Sequence, residues 1–175
     1  MIFKETKLNG AYIIEIDQKK DERGFFARLF CEKEFKEHNL KLQIKQSSIS
    51  YNKQKGTLRG MHYQASPYEE IKLVSCVKGS IYDVIIDLRI DSPTYCEWFG
   101  VELNADRYNM LYIPKNFAHG FQTLKNNTVV LYQMSEFYYP DYGRGIRCDD
   151  PKFKIKWPEE IKTLSNKDNS YKFWR

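Results

Sequence analysis

The chain has 175 residues, 42% of them hydrophobic and 15% aromatic, with a net charge of +5 and a pI near 8.9. That length suits one domain (1–175) with a real core, and that composition excludes a disordered chain. The longest apolar runs, such as "AYII" and "VVLY", are a few residues each, so no segment is expected to cross a membrane. The opening "MIFKETKLNG" lacks a basic stretch followed by an apolar one, which makes a cytoplasmic protein the expectation. Cys31, Cys76, Cys96 and Cys148 show no CxxC and no regular spacing, so reduced structural thiols are expected. Lys and Arg are spread along the chain without a basic helix or a nucleic-acid-binding motif, which argues against a nucleic-acid partner. A moderate positive field suits an anionic small molecule such as a nucleotide diphosphate.

In chain order, "GAYIIEID" and "GFFARLF" read as strands flanking the polar turn "QKKDER". "EKEFKEHNL" is the one clear helix, with Phe35 and Leu40 apolar among charges. Strands follow at "LQIKQSSISYN", "TLRGMHYQ", "IKLVSCV", "SIYDVIIDLR", "CEWFGVEL", "NMLYIP", "HGFQTL" and "TVVLYQMSEFYY". Turns such as "NKQKG", "VKGS", "DSPT" and "NADR" separate them. Such regular spacing predicts an all-β sandwich or barrel, with loop and short helix from Asp149 onward. Alternation puts Tyr82, Val84, Ile86 and Leu88 on one strand face and Ile81, Asp83, Ile85 and Asp87 on the other. Asp83 then lies near a sheet edge or points into a polar cavity. Tyr132, Met134, Glu136 and Tyr138 likewise share a face, suited to lining a pocket or packing a core.

Two of the three histidines fall in "TLRGMHYQ" and "YIPKNFAHGFQTL". Several small β-barrels bind metal through H-x-H with a carboxylate and a later histidine, the H-x-H spacing putting two imidazoles on one strand face. Here the triplet is His62-Tyr63-Gln64, so the second imidazole is missing and a metal site is not expected. A core histidine and a general base remain open for His62. Its company includes Arg59, Lys72, Asp83 and Tyr132 on predicted strands. An imidazole base, a phenol acid and a cation to hold an enolate oxygen are the parts needed for proton transfer next to a carbonyl. Arg59 and His62 are three residues apart, so a regular strand sends them to opposite faces. Both reach one pocket only if the chain is irregular between them, and Gly60 is the natural place for a bulge.

"TLRGMHYQ", "IKLVSCVKGSIYDVIIDLR", "YIPKNFAHGF", "LYQMSEFYYP" and "GIRCDDP" resemble the nucleotide-sugar 3,5-epimerase family, from about Arg23 to Asp168. The best-known members are the dTDP-4-dehydrorhamnose 3,5-epimerases. The resemblance implies a cupin-type jelly roll, a homodimer, a nucleotide diphosphate-sugar substrate and catalysis with no metal or organic cofactor. It makes His62 the base that removes a proton alpha to a C4 ketone, and Asp168 the carboxylate that orients it. Lys72 would stabilise the enolate, and Tyr132 would deliver a proton from the opposite face. Arg59 and His119 would hold the diphosphate. Arg23, Phe26 and Gln46 match positions that form the sugar and nucleotide pocket, and Tyr138 would stack on the base.

Two departures bear on the substrate. Arg28 stands where many members carry an acid, and Ser48 and Ile49 stand where an amide and an imidazole are often found. They leave the proton-transfer groups intact and loosen the identity of the nucleotide. The expected activity is epimerisation at C3 and C5 of a dTDP-linked 4-keto-6-deoxyhexose. A C3-only epimerase, a CDP- or GDP-linked substrate and a non-catalytic sugar-nucleotide binding module are the alternatives. "ASPYEEIKLV" also brings Glu69 and Glu70 near Lys72 in sequence, where carboxylates pointing the same way would keep an ammonium charged.

Overall fold

Turn residues cut the chain into short strands, and the structure, a computed structural model describing residues 1–175, forms them where the alternation is clearest. The N-terminal part holds β1 (Ile2–Glu5), β2 (Tyr12–Glu15), β3 (Lys19–Asp21), β4 (Gly24–Phe26) and helix α1 (Glu32–Glu37). Next come β5 (Gln46–Asn52), β6 (Leu58–Gln64), β7 (Lys72–Lys78), β8 (Ser80–Asp87) and β9 (Trp98–Asn104). The remainder holds β10 (Met110–Ile113), β11 (Phe117–Thr123), β12 (Thr128–Met134), β13 (Gly143–Gly145) and α2 (Asn166–Asn169).

Six strands pair in the order β1-β2-β10-β7-β12-β5, five in the order β13-β6-β11-β8-β9, and β3 pairs only with β4. Val74, Cys76, Leu111 and Val130 of the first sheet pack on Ile81, Ile85, Leu103 and Phe121 of the second. That is the cupin-type jelly-roll sandwich expected. Outside the six-stranded sheet, α1 lays Phe35 against Leu73, Met110 and Tyr112, a burial contributing about 1.5–3 kcal/mol. Outside the five-stranded sheet, Val84 and Ile86 pack under Ile146 and Phe153 of the C-terminal segment. No helix is long and apolar enough to cross a membrane.

Strand β8 shows how parity works here. Ile81, Asp83 and Ile85 face the sandwich interior, and Tyr82, Val84 and Ile86 face the C-terminal segment. Asp83 is fully buried on a strand flanked by β11 and β9, so the interior reading holds and the edge reading does not.

Some expectations needed correcting. Ile2–Glu5, not read as a strand, forms one by pairing with β2 in the register Ile2↔Glu15 to Glu5↔Tyr12. Part of the expected turn "QKKDER" is β3, and only Gly24–Phe26 of "GFFARLF" is strand. Gly143–Gly145 becomes strand only through its ladder with Gln64–His62.

The irregularity expected at Gly60 is present. Between β6 and β11 the register runs His119↔His62 and then Phe121↔Arg59, so two residues of β6 oppose one of β11. Gly60 has φ +127°, and a Cβ there would lie 2.5 Å from Gly120 Cα and 2.9 Å from the His119 carbonyl oxygen. Both obstacles are backbone and cannot swing aside. Gly60→Ala combines strain of about 1–3 kcal/mol with overpacking of about 1–3 kcal/mol. It is expected to destabilise the protein by about 2–6 kcal/mol in urea unfolding. An unchanged midpoint would mean that the bulge tolerates a side chain.

Candidate active site

Between the two sheets, at the bulged end of β6, lies a cavity of about 450 Å³. Arg59 and His62 of β6 line it with His119 and Phe121 of β11; Lys72 of β7 and Tyr132 and Met134 of β12 line the opposite side. The extra residue at the bulge resets the alternation, which is why Arg59 and His62 share this cavity despite their odd spacing.

His62 is held from the C-terminal segment. Its Nε2 is 2.6 Å from Asp168 Oδ1, while Asp168 Oδ2 accepts from the Gly60 N–H at 3.3 Å. Ser165 caps α2 by accepting from the Asp168 N–H at 3.0 Å, which fixes the carboxylate's backbone. A carboxylate accepts only, so the pair places the imidazole proton on Nε2 and leaves Nδ1 as the basic nitrogen. Burial works against the charge on Asp168, but the bonds from His62 and the Gly60 N–H, with Ser165, outweigh it. The carboxyl is held below its ordinary range.

Lys72 Nζ lies 2.9 Å from Glu70 Oε1 and 3.4 Å from the His62 carbonyl oxygen. Arg59 gives its Nε–H to Asn52 Oδ1 at 2.8 Å, and no hydrogen bond within the chain occupies its terminal nitrogens. Such a guanidinium is poised for phosphate oxygens.

The second pair is His119 Nε2 to Asp83 Oδ1 at 2.7 Å, with Asp83 fully buried behind a His119 that faces the cavity. Burial pushes Asp83 up against the opposing pull of His119 and Lys72, and its Oδ2 has no partner. Tyr132 packs edge-on to His119 with ring centroids 5.9 Å apart. Its burial raises the phenol well above the ordinary range, the Asp83 charge adding and Arg59 opposing, so it stays protonated at neutral pH.

The fold thus gathers Arg59, His62, Lys72, His119, Tyr132, Tyr138 and Asp168 around one cavity. Three expected pocket residues fall outside its lining. Arg23 and Phe26 stand on the exposed β3–β4 hairpin, where Arg23 pairs with Asp21 and Phe26 is 73% exposed. Gln46 sits at the start of β5, where its Oε1 accepts from the Tyr138 N–H at 2.6 Å. Glu136 also leaves the face it was expected to share with Tyr132, because β12 ends at Met134 and its carboxylate turns to Lys45.

Ser165, Lys167 and Tyr171 line the cavity without having been singled out from the sequence. The Tyr171 ring stands edge-on to His62, at 5.9 Å between centroids. The available signal for Ser165 was its place three residues before Asp168 as a helix cap, whereas Tyr171 lies beyond the C-cap Ser170 and had none. No three His, Cys, Asp or Glu side chains converge as a ligand set would require.

A sequence profile of the dTDP-4-dehydrorhamnose 3,5-epimerases matches residues 5–175. The dTDP-4-dehydrorhamnose 3,5-epimerase of Methanothermobacter thermautotrophicus is 41% identical over 173 residues, 97% of this chain and 92% of that one. The crystal structure of the Bacillus anthracis enzyme of that name, with TDP and PPi bound, matches with a TM-score of 0.95 at 38% identity and covers 99% of both chains. The dTDP-6-deoxy-D-glucose-3,5-epimerase of Legionella pneumophila, in complex with dTDP-4-keto-L-rhamnose, matches with a TM-score of 0.91 at 36% identity over 98% of this chain and 92% of that one. With this similarity along nearly its whole length, the chain belongs to the dTDP-4-dehydrorhamnose 3,5-epimerase family.

Proposed function

We propose that this protein inverts C3 and C5 of dTDP-4-dehydro-6-deoxyglucose by two cycles of proton removal and return. One observation carries the reading: His62, held by Asp168 of α2, and the Tyr132 phenol come from opposite sheets and line one cavity. A base and an acid on facing walls are what inversion at carbon requires. The relatives support the substrate, since one holds TDP and another a dTDP-4-keto sugar.

In each cycle Nδ1 of His62 takes the proton from the carbon beside the C4 ketone, and electron density moves to the ketone oxygen. The Lys72 ammonium stabilises that oxygen, a contribution of about 10²–10³ in rate for one well-placed donor. Tyr132 then gives its proton to the other face of the carbon. His62 releases its proton to solvent and Tyr132 regains one, so the site returns to its starting state. Arg59 and His119 bind the diphosphate, and Tyr138 stacks on the base, seated through Gln46.

The same reading makes the chain one catalytic domain working in the cytoplasm as a homodimer. In that dimer Arg23 and Phe26 serve the partner's pocket. The exposure of Phe26 on a hairpin clear of its own cavity supports this.

Proton NMR in D2O tests the reaction. With dTDP-4-keto-6-deoxyglucose, the C3 and C5 proton signals are both expected to disappear at a rate proportional to enzyme. Loss at C3 alone would make it a mono-epimerase. Faster exchange with CDP- or GDP-linked sugars would assign Arg28 to a different base. No exchange with any of them, despite saturable binding, would leave a binding module.

A further inference from the structure

Resting on the epimerase reading, we propose that Glu70 is a positioning residue that holds the Lys72 ammonium in the cavity, aimed at the ketone oxygen. Glu70 lies two residues before Lys72, so an extended chain sends both side chains to the same side. They meet at 2.9 Å with 10% of each side chain exposed. An ammonium has three N–H bonds. Glu70 takes one and the His62 carbonyl, at 3.4 Å, engages a second, so the direction of the third is fixed. A lysine without such partners spreads over many rotamers.

Glu70 itself is backed by a rigid group. Its Oε2 lies 3.5 Å from Gln64 Nε2. The two N–H bonds of that amide go to the Tyr68 and Phe137 carbonyls at 3.0 Å each, and its oxygen accepts from the Tyr139 N–H at 2.7 Å, so Glu70 lies against an amide that is fixed by other partners.

Two effects oppose one another. A carboxylate beside Lys72 fixes it in place, but it also neutralises part of the charge the enolate needs. Asp83 decides between them. It is fully buried, feels the charge of Lys72, and keeps Oδ2 without a partner. Without Glu70, the buried Asp83 is left to draw the ammonium into the sandwich and away from the substrate.

A double-mutant cycle with the D2O exchange assay tests this. Glu70→Gln is expected to lower kcat by about 10- to 100-fold, with KM changing less than about threefold. Lys72→Met is expected to lower kcat by about 10²–10³-fold. If Glu70 acts through Lys72, adding Glu70→Gln to Lys72→Met costs nothing further within about twofold. TDP affinity and melting temperature, unchanged in Glu70→Gln, separate positioning from damage to the fold. Should that variant fail to fold, Glu70→Asp replaces it in the same cycle.

A Glu70→Gln enzyme as fast as wild type or faster would overturn the proposal, since neutralisation would then outweigh placement. An equal loss in both backgrounds would overturn it too, because Glu70 would act independently of Lys72. A wild-type enzyme without exchange would instead sink the epimerase reading itself.

Discussion

His62→Asn is expected to lower exchange at both carbons by about 10³–10⁴-fold, toward the upper end of what a positioned general base contributes. Asparagine is shorter than histidine, its amide nitrogen matching Nδ1 and not the Nε2 that meets Asp168, so the carboxylate keeps the Gly60 N–H as its partner. What it lacks is a nitrogen that accepts a proton. The His62 side chain is 42% exposed, so its truncation opens no core cavity. TDP binding should survive because Arg59 and His119, to which the proposed mechanism gives the phosphate-binding role, are untouched. The pH dependence adds a second signature. Asp168 is held below the ordinary carboxyl range, so it remains ionised as the pH falls from neutral. The hold of Asp168 on His62 is therefore kept through mild acidification and lost only as the pH falls through a range below that of an ordinary carboxyl. A variant retaining more than about a tenth of the wild-type rate would show that another group takes the proton.

Much of this site was legible because its logic is local. The conflict between the spacing of Arg59 and His62 and the period of a strand pointed to a bulge at Gly60, and the β6–β11 register contains it. Alternation in "SIYDVIIDLR" gave the face of Asp83 but not what lies across from it. His119 comes from a strand 36 residues later, and its approach depends on sheet order. The short strand β13 carries glycine at both ends and has no pattern of its own; it exists because β6 offers a partner. Glu70 was visible as an acid near Lys72 in sequence, but only the fold shows that it reaches the ammonium and that both line the cavity. Arg23 and Phe26 mark the opposite limit. Their role came from resemblance alone, and one chain leaves them on an exposed hairpin.

Tyr132→Phe should separate the two halves of the reaction. Removing the hydroxyl takes away the acid but not the base, so His62 still abstracts a proton and, once deuterated in D2O, returns a deuteron to the face it came from. Exchange at C3 and C5 is therefore expected within about tenfold of wild type, while inverted product falls by about 10²–10⁴-fold, the usual contribution of a positioned acid. The substitution is conservative in this setting. The Tyr132 hydroxyl makes no hydrogen bond within the chain, and its edge-on contact with His119 and its packing on Phe121 involve the ring alone. The protein should keep its melting temperature. Parallel loss of exchange and inversion would argue that the phenol is needed for proton removal as well, for instance by holding the ketone. Retained inversion would mean that the second proton comes from elsewhere in the cavity, with Tyr171, which stands beside His62, the next phenol to replace. The ratio of exchange to inversion is thus the quantity to measure, because it assigns the two faces of the sugar to two different side chains.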